Sequence, residues 1–174
     1  IGLAFMFMEI AFIQKFVLFL AHPLYAIADV LCAFLVFAAA GSRLVGRYRG
    51  NTAGSRHVII AVTGIAVLSV LYLVILPDLF QMLIHLPDAS KIAISVALIA
   101  PLAVCMGVPF PTGMARLASA AQDSIPWAWA VNGFASVTGA VLATLLAIHL
   151  GFAAVILLAV LIYGVAAVAL TRFT

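Results

Sequence analysis

The chain has 174 residues, of which 68% are hydrophobic and only 7% charged, with a mean hydropathy of +1.36 and a formal net charge of +3. A soluble domain carries ~25% charged residues, and the surface of a water-exposed globule is too large to be covered by so few polar groups. Composition therefore excludes a water-soluble fold and makes lipid the solvent for most of the surface. The fold class this predicts is all-α, a polytopic membrane helical bundle.

A spanning helix needs ~20 mainly apolar residues. The chain holds six such segments, at about 2–20, 23–40, 58–76, 91–107, 126–150 and 152–171, read together as a single transmembrane domain. Ile1 leads straight into the first, with neither a Met nor a basic n-region before it. That start fits the mature end of a processed chain or, on the preferred reading, a segment of a longer polypeptide.

The first helix carries the stretch FMEIAFIQKF, residues 7–16, in which Glu9, Gln14 and Lys15 stand among Met, Ile and Phe. Glu9 precedes Leu20 by eleven residues. At ~1.5 Å per residue that places it ~16 Å from the helix end, near the middle of a ~30 Å hydrocarbon core. A carboxylate there must face protein, be paired, or be protonated.

His22 and Pro23 end the first helix and open the second, where His22, Tyr25, Asp29 and Cys32 share one stripe. Lys15 and Asp29 each lie seven residues from His22 on antiparallel helices, and so at similar depth. Glu9, Gln14, Lys15, His22, Tyr25 and Asp29 form the candidate intramembrane polar site. Two readings stand for its outer part: a proton or ion path opening outward, and a Lys15–Asp29 salt bridge that fixes the hairpin.

Gly41 and Ser42 end the second helix and open the only long polar stretch, residues 41–57, with Arg43, Arg47, Arg49 and Arg56. After the third helix, PDLFQMLIHLPD (77–88) alternates as a short amphipathic helix in the outer interface. Its His85 has no companion ligand, and no metal site is assigned. The fourth helix ends in GVPFPTG, where Pro109, Pro111 and Gly113 form a broken segment. Such breaks serve as transporter binding sites or as plain interfacial turns. A second short interfacial helix follows over 111–123.

The fifth helix opens on Pro126, with Trp127 and Trp129 placed for an aromatic belt. Ala135, Gly139 and Ala143 make one small-residue stripe, and Asn132, Ser136 and Ala140 the next. Asn132, Ser136 and Gly139 are read as a helix-packing face, with a substrate contact by Asn132 as the other reading. Gly151 separates the sixth helix.

If the 41–57 loop is cytoplasmic, that side gathers Arg43, Arg47, Arg49, Arg56, Arg116 and Arg172, leaving Lys91 outside and Lys15 near that edge. This positive-inside asymmetry puts both termini in the cytoplasm and removes any reason to infer nucleic-acid binding. Cys32 and Cys105 lie in apolar runs without ligand spacing and are read as buried small hydrophobes. Walker A, G-x-G-x-x-G, H-E-x-x-H and G-x-S-x-G patterns are absent, so no catalytic residue and no cofactor is assigned.

Three stretches, GLAFMFMEIAFIQKFVLFLAHPLYA (2–26), MGVPFPTGMARLA (106–118) and IPWAWAVNGFASVTGAVLA (125–143), together resemble the C-terminal membrane half of bacterial spermidine-synthase-like membrane proteins. The matched positions are Glu9, Gln14, Lys15, His22, Pro23, Pro109, Pro111, Gly113, Pro126, Trp127, Asn132 and Gly133. Asp29 departs from the apolar residue expected of relatives. The resemblance implies a bacterial inner-membrane location and a partner, a cytosolic aminopropyltransferase-like Rossmann domain, that these 174 residues do not contain. Three roles follow as expectations. The first is a membrane module that anchors and serves such a domain. The second is a structural subunit docked to other membrane proteins, and the third a small transporter using Glu9.

Overall fold

The computed structural model describes residues 1–47 and 53–172. The chain is an all-α membrane bundle, with six helical segments long and apolar enough to cross a bilayer. In order these are α1 (Gly2–Leu20), α2 (Pro23–Arg47), α3 (Ala53–Leu83) and α4 (Asp88–Met106). Then follow α5 (Pro109–Ala120), a 3-10 turn over Gln122–Ser124, α6 (Ile125–Leu150) and α7 (Phe152–Arg172). The short α5 continues the α4 span past a break at Gly107 and Val108.

α1 is the central element, packed against α2, α4, α6 and α7. Half of its apolar window is buried, against 17% for α6, which forms an outer wall. Phenylalanines fill the space around α1. Phe12 meets Phe34 edge-on at 5.6 Å between ring centroids, and Phe19 stacks on Phe80 at 4.3 Å. The outward faces carry Leu24, Val74, Trp127, Phe134, Val137, Ile148 and Val165, each at least 70% exposed. An apolar shell of this kind is stable only with lipid or another apolar phase around it.

Contacts between helix ends give the bundle its two faces. The start of α1 meets α6 near its N-terminal third, through Gly2 and Asn132. The C-terminal parts of α2 and α4 meet at Gly41 and Gly107. Arg116 of α5 donates to Leu170 O near the end of α7 and to Ser55 Oγ at the start of α3. At the opposite face the Lys91 ammonium of α4 lies 5.9 Å from the centre of the Phe19 ring of α1. Arg43, Arg56 and Arg116 thus belong to one face and Lys91 to the other. Arg49, in the centre of the expected polar loop, lies outside the described residues.

Several helix limits differ from the sequence expectation, each for a tertiary reason. α2 does not stop at Gly41 and Ser42, because buried Gly41 sits against the backbone of Val104, where a Cβ would collide with the carbonyl oxygen. α3 runs through Pro77 to Leu83, so the expected interfacial helix over 77–88 is instead the last turns of a spanning helix. Proline forfeits one helical hydrogen bond there. The turns beyond it are held by Phe80, whose ring contacts Phe16 and Phe19. Leu86 N then donates to Leu83 O in the turn leading to Pro87 and α4.

A buried polar site between helices

Glu9 lies about halfway along α1 and is only 2% exposed. Its Oε1 is fully buried and has no hydrogen-bond partner. Tyr163, midway along α7, is completely buried, and its hydroxyl is likewise unpartnered. Ser69, midway along α3, is also fully buried, and its hydroxyl meets only the Met8 sulfur, at 3.8 Å. The Ser69–Met8 contact sets Ser69 at the depth of Glu9, and Tyr163 lies midway along α7, which also packs against α1.

The site is polar without being compensated. Among the described residues no ion pair reaches Glu9, and its buried Oε1 has no hydrogen-bond donor. A charged carboxylate at the bilayer centre costs at least ~2.5 kcal/mol. An orphaned buried acceptor adds a further ~1–3 kcal/mol. A buried carboxyl without a partner favours a neutralising proton, a small cation or a buried water beside it.

The other members of the candidate polar set are dispersed. Gln14 Oε1 and Asp29 Oδ2 are buried without partners, nearer the Lys91 face. Lys15 is half-buried, and no salt bridge joins it to Asp29, so the expected hairpin lock is not made. His22 and Tyr25 are exposed at the α1–α2 turn, their rings edge-to-face at 5.7 Å. Among the six, therefore, only Glu9 lies in the bundle core.

Asn132 and Ser136 face the start of α1, where the Gly2 N–H donates to Asn132 Oδ1 at 2.8 Å. Gly139 packs against Leu3, and buried Ala143 and Ala147 extend the same contact along α6. At the break before α5, Val108 O accepts from both the backbone N–H and the hydroxyl of Thr112. Pro109 is buried, Pro111 is half-buried, and Gly113 rests against Leu170. This segment is packed as a kinked turn. Cys32 is exposed on the apolar surface and Cys105 half-buried, so the expectation of burial fails for Cys32.

Tyr163 and Ser69 did not stand out in the sequence. The signal for Tyr163 was a lone phenol in the run ILLAVLIYGVAAVAL, at helical mid-length and far from the interfaces where Tyr belongs. A groove of about 870 Å³ between α3 and α7, lined by Thr63, Ala66, Gly164 and Val165 among others, contains no ionisable side chain. Among the described residues no group of three His, Cys, Asp or Glu is placed to hold a metal ion.

Fold and site together define a multi-pass α-helical integral membrane protein with an uncompensated carboxyl in its core. No family model, no characterised protein and no solved structure matches the chain in sequence or fold.

Proposed function

We propose that this bundle is the membrane module of a spermidine-synthase-like protein, anchoring a synthase-type domain at the cytoplasmic face of a bacterial inner membrane. On this reading it also passes substrate or product to or from that domain. The observation that carries the reading is the common face of the bundle. The start of α1 and the end of α7 emerge on the side that holds Arg43, Arg56 and Arg116. An arginine-rich face is retained in the cytoplasm by the positive-inside rule, and a domain joined to either end would lie there.

The test is the reading frame that flanks residue 1. A continuous frame encoding a strand, a glycine-rich turn and a helix of Rossmann type supports the module. A stop codon in that frame removes it.

The buried Glu9 carboxyl favours a second reading, a small transporter that couples movement of its substrate to an intramembrane carboxylate. In proteoliposomes Glu9→Gln then abolishes proton-coupled uptake, and unchanged flux takes Glu9 out of any transport step.

A further inference from the structure

We propose that the groove between α3 and α7 binds an acyl chain of one anionic phospholipid, whose phosphate is held by Arg56 at the arginine-bearing face. The groove encloses about 870 Å³ and is floored by small residues, Ala66, Gly164 and Ala169, with Thr63 the one polar side chain in its lining. A Cβ added at Gly164 would meet nothing within 4 Å, so the bundle itself leaves this space open. Leu161 and Val165 line it too and are 64% and 70% exposed, which sets the opening toward the surrounding lipid. In a bilayer such a space is filled, because atoms that line a void lose their dispersion partners.

Length and charge together select the occupant. Along α7 the groove runs from Val160 to Ala169. At ~1.5 Å per residue this is ~14 Å, about the depth of one leaflet in a ~30 Å hydrocarbon core. Arg56 stands two turns before Thr63 on the same face of α3, and its side chain is exposed. α7 ends at Arg172, one turn beyond Val168. Both walls of the groove therefore lead to a basic residue at one face of the bundle. The acids are elsewhere: Glu9 and Asp29 lie within the span, Asp78 and Asp88 flank the turn on the Lys91 side, and Asp123 sits beside α5 and α6. A phosphate headgroup supplies the countercharge, and basic sites at the ends of spanning helices select such headgroups.

Small residues would also suit a helix from a second copy of this chain. Charge opposes that occupant. Copies inserted in one orientation share an arginine-bearing side, and their like charges would meet at that end of the groove. The proposal stands apart from both readings of function, since neither the flanking reading frame nor the flux assay bears on it.

The test is native mass spectrometry of the full chain released from micelles that contain equal amounts of phosphatidylglycerol and phosphatidylcholine with identical acyl chains. One retained phosphatidylglycerol per chain is expected, in about fivefold preference to phosphatidylcholine. Arg56→Gln is expected to remove the preference, and Arg56→Lys to keep most of it. Gly164→Leu and Ala66→Leu fill the groove and are expected to lose the bound lipid of either kind, with circular dichroism showing that each variant is folded. Should a leucine variant fail to fold, the exposed Arg56 position decides alone. Equal retention of the two lipids overturns the proposal, as does a preference unchanged in Arg56→Gln or lipid retained in a folded leucine variant. So does a lipid-free wild-type dimer that Gly164→Leu dissociates, which would assign the groove to a second copy.

Discussion

The Gly2 amide donates to Asn132 Oδ1 at 2.8 Å, joining the first turn of α1 to α6 across 130 residues of sequence. The first N–H groups of a helix have no partner within it, and in a membrane protein water does not readily supply one. Asn132→Ala therefore leaves the Gly2 N–H orphaned and is expected to cost about 1 kcal/mol. Equilibrium unfolding in mixed micelles reads this directly. Stability equal to wild type would show that the contact contributes nothing net.

Gly139 sets how closely α6 approaches α1. A Cβ added there would lie 3.1 Å from Leu3 Cα and 3.2 Å from Leu3 O, so the two backbones would have to part. Gly133, one and a half turns earlier, has open space around the same atom. Gly139→Leu is expected to lower stability by about 1–3 kcal/mol through overpacking. Gly133→Ala should be neutral or stabilising, because alanine is the better helix former by ~1 kcal/mol. Paired unfolding curves check the contrast, and equal effects at both positions would deny that α1 and α6 meet at this glycine.

How much of this was legible in the sequence varied with how local the cause was. Six spans, and the identity of α6 and α7 almost to the residue, follow from hydropathy and from Gly151, because a lipid solvent imposes length and apolarity on each helix separately. Gly41 and Pro77 misled because their effects are tertiary. One glycine opens a helix crossing rather than a turn, and one proline is overridden by the packing of Phe80. Glu9 could be singled out by depth alone. The burial of Tyr163 could not be read, since nothing in a single sequence states which face of α7 turns inward. The dispersal of Gln14, Lys15 and Asp29 has the same origin: equal depth on neighbouring helices does not fix the rotation of either.

α1 ends at Ala21 in the left-handed region, with φ 56° and ψ 4°, and its N–H donates to Val17 O at 3.1 Å. This is the usual place for glycine, since a Cβ in that conformation crowds the backbone at a cost of about 1–2 kcal/mol. Ala21 is exposed, so removing its methyl sacrifices no buried contact. Ala21→Gly is expected to raise stability by about 1 kcal/mol, less the added freedom of glycine in the unfolded chain. Thermal unfolding in detergent tests it, and a lowered midpoint would refute the strain at this cap.

Arg116 joins three helices at the arginine-bearing face. Its guanidinium donates through Nη1 to Leu170 O, among the last carbonyls of α7, and through Nη2 to Ser55 Oγ at 2.7 Å in the first turn of α3. Leu170 lies in the last described turn of α7, where a cation meets the negative end of the helix dipole. Arg116→Ala is expected to cost about 1–3 kcal/mol, the range for hydrogen bonds to charged groups. Lysine reaches as a single point charge and lacks the planar fork, so Arg116→Lys should recover only part of the loss. Ser55→Ala removes the α3 half alone. If the fork acts as one clasp, the Arg116→Ala and Ser55→Ala effects are non-additive by about 0.5 kcal/mol or more in a double-mutant cycle. Additive effects would mean that Arg116 holds α7 and that its contact with α3 is incidental.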